Sequence, residues 1–492
     1  MSNTVVISIA LLAAAVIIVL LLRRTKKADS NPAAAEQPAA DSAIQEDEVL
    51  PLGTRRVIPE SEHQIPRRRL DDNAMKVVYR LEDAGYEGYL VGGCIRDLLM
   101  QKQPKDFDIA TSAHPEQAVE LFRRGRLIGR RFKLLHVRFG REIIEVATFR
   151  ASHNHDKAGK DNARTADTGM IVRDNVYGTI EEDALRRDFT VNALYYDAKD
   201  HSLIDFANGY RDIQDRCLRM IGDASERYRE DPVRMIRAAR FAAKLGFEIE
   251  PDTARPIHEL APLMRNVAPA RLFDEVLKLL QSGHGEASFR QLRRFGLFQY
   301  LFPLTDEALD DEDYPVETLV VNALCNTDRR LAQGKSVTPA FLFAALLWYP
   351  LQRRMQELED ETDLPPVPRL HEAANQVLAE QVKHTAIPRR FSTPVREIWE
   401  LQLRLPRRHG KKADQLMEQP RFRAAYDLLL LRENSGEDLD GLSQWWTDYQ
   451  AANPVSRREM TPQERDEGPR RKRRRRPRRR KPAADNAPKQ DD

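Results

Sequence analysis

The sequence predicts an α+β protein, in which a small head with a mixed sheet is followed by an all-helical remainder. Three observations carry this reading. From about residue 71 to residue 215, short β-rich runs alternate with helical patterns. Beyond residue 225 the strand patterns disappear and apolar residues recur at helical spacing. Both ends differ in composition from everything between them.

At 492 residues the chain is long enough for about three domains. An apolar share of 41% permits a sizeable core, and 32% charged residues give it a well-solvated surface. The net charge of +3 hides an asymmetry. Residues 470–481 (RRKRRRRPRRRK) carry eleven positive charges, and setting these eleven aside takes the rest of the chain from +3 to −8. Cys94, Cys217 and Cys325 lie far apart, odd in number and without a CxxC pair. That argues against a disulfide framework or a zinc site and fits a reducing compartment.

Val5 to Leu22 is an apolar run broken only by Ser8. At about 1.5 Å per residue such a helix just crosses a bilayer core. Arg23, Arg24, Lys26 and Lys27 follow it, and nothing positive precedes it. Residues 1–27 are therefore expected to be a membrane anchor, tethering a cytoplasmic protein to the inner membrane beside anionic lipid. If translation starts downstream, this segment is absent. Residues 28–70 lack apolar periodicity and are expected to be a disordered linker. Asp71-Asp72-Asn73 is an N-cap cluster that opens the head at residues 71–215. The helix it starts carries Val77, Val78, Leu81 and Ala84 and stops at Gly85. HVRFGREIIEVATF reads as a hairpin turning at Gly140. Residues 216–285 form a helical neck and 286–455 a helical body, while 456–492 form a disordered basic tail.

Chemistry concentrates in YLVGGCIRDLLMQKQPKDFDIATS, residues 89–112. A strand runs into Gly92-Gly93, where missing side chains let backbone approach a ligand, and N–H groups at a helix start suit phosphate oxygens. Asp106 and Asp108 alternate around Phe107, so on a strand both carboxylates share a face. Two carboxylates so close repel unless a cation sits between them, and Mg²⁺ suits such a pair. Taken alone, DxD is more often two solvated acids on an edge strand. In EEDALRRDFTVNAL, residues 181–194, Arg186 and Arg187 match phosphate geometry. Asp188 is the leading candidate for a third acid, or an acid that orients one of these arginines, with Glu145 the competing third acid.

These blocks resemble the class II tRNA nucleotidyltransferase and bacterial poly(A) polymerase family, within the polymerase-β-like superfamily. DFANGYRDIQDRCLRMIGD (205–223), RYREDPVRMIRAARFAAKLGF (227–247) and VAPARLFDEVLKLL (267–280) resemble its further motifs, in order. Cys94 stands where the family usually has glycine. The resemblance implies a polymerase-β-like head and makes Asp106 and Asp108 the ligands of two Mg²⁺ ions, with Asp188 a third catalytic acid. It implies a nucleotide pocket of Gly92, Gly93, Arg96, Asp97, Arg186, Arg187 and Asn192. Glu230, Asp231 and Arg234 are implied to read the base, with a helical Asp231 and Arg234 sharing a face, and Arg237 completes the pocket. LIGRRFKLLHVRF (127–139) resembles the block that marks poly(A) polymerases. The implied function is addition of a poly(A) tail to RNA 3′ ends from ATP, promoting RNA turnover. The neck at 216–285 is expected to read the base and the body at 286–455 to bind RNA, while Arg470, Arg471, Lys472, Arg473, Arg474, Arg475 and Arg476 are expected to hold RNA phosphates. The alternatives are CCA addition to tRNA and a non-catalytic, membrane-tethered RNA-binding scaffold. Retention of both Asp106 and Asp108 speaks against the scaffold.

Overall fold

In the computed structural model, residues 49–129, 133–151, 163–165, 171–174 and 176–461 are described. Their sheet is mixed and eight-stranded. Its strands are β1 (Arg56–Ile58), β2 (Gly88–Val91), β3 (Asp108–Thr111), β4 (Gly125–Ile128), β5 (Leu134–Phe139) and β6 (Glu142–Thr148). Past the small hairpin of β7 (Ala163–Thr165) and β8 (Ile171–Asp174), β9 (Leu194–Asp197) and β10 (Leu203–Asp205) complete it. The strand order is β1-β10-β9-β2-β3-β6-β5-β4. The β3/β6 pair is parallel and the other neighbours are antiparallel. β3 and β6 lie inside the sheet, and their register sets Asp108 beside Glu145.

Local chemistry explains the helices around it. In α1 (Asp72–Asp83), the Asp71 side chain accepts from the backbone N–H groups of Asn73 and Ala74, and Ala74, Val77, Val78 and Leu81 are buried. Gly92 adopts φ +80° and ψ −127°, which a side chain would resist, and turns β2 into α2 (Gly93–Leu99). The capping box of Thr179 and Glu182 starts α3 (Ile180–Leu185). After α4 (Ala224–Glu230) and α5 (Val233–Leu245) the described chain is almost wholly helical, through α6 (Pro269–Leu280) to a last helix at Pro454–Met460. Trp348, Trp399 and Trp446 anchor that helical part, fully buried. Their indole N–H groups donate to Glu437, the Ala344 carbonyl and the Leu405 carbonyl. Each gives large apolar burial without a stranded donor.

Several boundaries differ from those expected. Residues 49–70 are not a linker. β1 pairs with β10, and Ile58 and Ile65 enter the core, because this short polar-flanked segment finds a sheet edge to complete. Pro454–Met460 carries helix into the expected tail, started by the Asn453 side chain. The predicted anchor at 1–27, the RRF of the 127–139 block and the basic run at 470–481 lie outside the described residues. Among those described, no helix is long and apolar enough to cross a membrane.

Candidate active site

β2, β3 and β6 meet the start of the helical part at a cleft of about 390 Å³. Asp108, Glu145, Arg150 and Asp183 line it from the head, as do Arg186, Arg187 and Asp188; Asp231, Arg234, Arg237 and Arg271 line it from the neck. Asp108 opens β3, and its carboxyl is pushed up to about 6. Loss of water around it is the main cause, reinforced by the charges of Glu145 and Asp106, while Arg187 opposes them. Glu145 also meets His136, at 3.3 Å. Asp106 precedes the strand rather than lying on it and is not among the lining residues, although its charge reaches Asp108. Phe107 between them is buried.

Opposite these acids the arginines crowd. Burial lowers the pKa of Arg186, and the charges of Arg150, Arg227, Arg187 and Arg234 lower it further. Arg227 is brought down to about 10, by burial first and then by Arg234. Burial works against Arg187 too, but Tyr195 and Asp183 outweigh it; the Asp183 carboxylate accepts from Arg187 Nη2 at 2.9 Å and from the Tyr195 hydroxyl at 2.7 Å. Cations forced together in this way are a standing attraction for a polyanion.

Asp188 lines the cleft with both carboxylate oxygens engaged. One of its carboxylate oxygens accepts from the Phe189 N–H (2.8 Å) and from Asn192 Nδ2 (3.1 Å). The other is held by Arg237. Burial opposes its charge, yet Arg237 and Asn192 hold its carboxyl far below the usual range. The acid set against Asp108 in the sheet register is Glu145, the candidate ranked lower from the sequence. Asn192 and Arg96 are buried connectors rather than cleft walls. Arg96 donates to Asn192 Oδ1 at 2.5 Å and to Asp97 Oδ1 at 2.6 Å, so a relay runs Asp97–Arg96–Asn192–Asp188–Arg237. At Gly92 an added Cβ would stand 3.5 Å from Arg187 Nη1, so the bend lies against the arginine group. Cys94 is accommodated by burial, its thiol donating to the Val91 carbonyl.

Asp231 and Arg234 both line the cleft but do not share a helical face. Asp231 is an extended residue (φ −150°, ψ 93°) between α4 and α5. Arg271 of α6 grips it with two bonds, at 2.6 and 2.7 Å. Glu230 Oε2 accepts from Arg234 Nη1 and from Arg227 Nη1, each at 2.8 Å. Sequence reasoning passed over Arg150, Asp183, Arg227 and Arg271. Arg227 and Arg271 lay inside motifs already singled out, but nothing local marked which acid each would meet.

A divalent cation fits this site by its donor chemistry, since Asp106, Asp108 and Glu145 offer hard oxygens and Asp108 is crowded by like charge. Among the described residues no three such side chains converge closely enough to hold an ion alone. An ion here would take part of its shell from water and phosphate.

Three family models match the chain. Residues 88–219 match the poly A polymerase head domain, 246–309 a probable RNA and SrmB-binding site of polymerase A, and 362–480 the polymerase A arginine-rich C-terminus. Poly(A) polymerase I of Salmonella typhimurium is 50% identical over 422 residues, covering 85% of this chain and 90% of the relative. A CCA-adding enzyme of Lactobacillus helveticus is 36% identical over 217 residues, 44% of this chain and 52% of that one. In fold, the chain is similar to a CCA-adding enzyme in its apo form II, with TM-score 0.53, 19% identity, and coverage of 80% and 87% of the two chains.

Proposed function

The chain belongs to the bacterial poly(A) polymerase family, and from that premise we propose that the cleft is where ATP meets an RNA 3′ end. The chain is a polynucleotide adenylyltransferase. One observation carries the assignment of the cleft: a wall of mutually repelling arginines faces Asp108 and Glu145 across a space open to solvent. A triphosphate relieves the first repulsion and a cation the second.

Asp106 and Asp108 would hold Mg²⁺, with Glu145, the register partner of Asp108, a further oxygen donor. Two such ions, when bound, supply Lewis-acid stabilisation of the attacking and departing oxygens. The RNA 3′-hydroxyl gives up its proton to water, its oxygen bonds to the α-phosphorus of ATP, the α–β phosphoanhydride bond breaks, and pyrophosphate leaves. Arg150, Arg186 and Arg187 neutralise the triphosphate as charge moves onto the leaving group. The Asp183–Tyr195 pair fixes Arg187, so it is already oriented when substrate arrives. Asp231 accepts from an exocyclic amine, and Arg234 donates to a ring nitrogen. Arg271 sets the direction in which Asp231 presents its oxygens.

Each nucleoside triphosphate, offered separately with an oligo(A) primer or a tRNA ending before its CCA, tests this. ATP should extend oligo(A) efficiently and CTP should not. Comparable CTP incorporation into the truncated tRNA would overturn the assignment. In the same assay Arg271→Ala should narrow the preference for ATP over CTP in kcat/KM by about 10- to 100-fold, since an oriented contact to a base is worth roughly 1–3 kcal/mol of discrimination.

The basic run from Arg470 to Lys481 suits phosphates irrespective of sequence. Deleting residues 468–492 should weaken RNA binding at low salt and flatten its salt dependence, measured by fluorescence anisotropy. Unchanged binding would remove the tail from this role.

A further inference from the structure

Far along the chain from the catalytic cleft, the body carries a second cleft of about 340 Å³. It opens between the helices Val316–Ala332, Pro339–Leu346, Arg389–Arg404 and Phe422–Asn434. Its lining charges are four arginines against one carboxylate, Asp427, and Arg421 also pairs at 2.9 Å with Glu397, which is not a lining residue. Arg423 and Arg330 flank that carboxylate at 3.0 and 3.8 Å, and burial raises its pKa. The Arg330 Nε–H is buried and donates to nothing among the described residues. Arg390 is exposed and lies 4.9 Å from the centre of the Phe391 ring. It has no carboxylate within ion-pair distance among the described residues. The floor is apolar and partly aromatic, formed by Phe341, Phe391 and Pro394 with Ile398.

An arginine rim around an aromatic floor is the arrangement that takes single-stranded nucleic acid, with phosphates on the guanidinium groups and a base on the rings. The volume lies at the small end of ligand pockets, roughly 300–1,000 Å³, and so suits a single nucleotide rather than a folded partner. Phe391 rests on the buried Phe273 with ring centres 5.8 Å apart, which stiffens the platform. We propose that this cleft is a second nucleotide subsite, taking one unstacked nucleotide of the RNA strand upstream of the growing end. The proposal rests on the RNA-extending function above. An anionic peptide would use the arginines but leave the aromatic floor idle.

Two variants test it, Arg390→Glu, which reverses a rim charge, and Ala424→Trp, which fills the space without altering charge. Each is compared with wild type in extending A3 and A20 primers with ATP, and in anisotropy with labelled A20. Both variants should raise the KM for A20 about tenfold and weaken A20 binding in parallel. The KM for ATP and the extension of A3 should stay within twofold of wild type. Wild-type affinity for A20 in both variants overturns the subsite, as does an equal loss on A3 and A20. If wild type extends neither primer, the RNA-extending function itself fails. Loss of the subsite alone leaves wild-type extension intact.

Discussion

Asp108→Asn is expected to lower kcat for oligo(A) extension by at least about a thousandfold, or roughly 4 kcal/mol of barrier. The amide keeps the shape but loses the charge that would hold a cation against the triphosphate. The same substitution should not harm the fold. The Asp108 carboxyl is raised to about 6 in the folded chain, above its ordinary value of 3.8. Its contribution to stability is therefore fully present below about pH 3.8 and is lost as pH rises through about 6. At pH 8 without metal the asparagine variant should melt at or above the wild-type temperature, and that advantage should fade towards pH 4. The Mg²⁺ concentration needed for half-maximal activity in wild type should also rise as pH falls through about 6, because a proton competes for the same oxygen. Near-wild-type turnover by Asp108→Asn, or a Mg²⁺ requirement flat from pH 5 to 8, would remove Asp108 from the metal site.

Asp188→Ala should produce the second large effect, and its pattern separates two roles. Removing it strands the partly buried Arg237 guanidinium, nearly a third of which reaches solvent, at a cost of about 1–3 kcal/mol. Its carboxyl is depressed in the folded chain, so its stabilisation is fully present above the ordinary carboxylate range, erodes as pH falls below that range, and is gone only below its own depressed value. The variant should therefore differ most from wild type in thermal melts at neutral pH and converge with it in acid. The relay through Asn192 and Arg237 predicts a raised KM for ATP with an unaltered Mg²⁺ requirement. A Mg²⁺ requirement that rises tenfold or more would instead make Asp188 a metal ligand.

The glycine bend and the strand that Asp108 opens were legible in the sequence because their pattern is local. Turn, strand and alternating acids all fall within residues 89–112. The role of Asp188 was not, because its partner Arg237 lies 49 residues away. Glu145 sits in an otherwise apolar strand, where an unpaired charge is costly. The fold lowers that cost with His136 and an opening to solvent, features that depend on which strands become neighbours. For Asp231 a local signal existed and was passed over: Pro232 follows it, and the residue before proline avoids helical backbone. The strand Arg56–Ile58 carried no such mark. Three residues without turn signals become a strand only because Leu203–Asp205 offers them an unpaired edge.

All four tryptophans of the chain, Trp348, Trp399, Trp445 and Trp446, belong to the body, and no residue from 49 to 347 is a tryptophan. Indole emission thus reports the state of the body while remaining blind to the catalytic half. If damage at Asp188 loosens the head without opening the body, a fluorescence melt will record an undisturbed protein. Calorimetry, or a tyrosine signal from Tyr89, Tyr195 and Tyr196, will register the change.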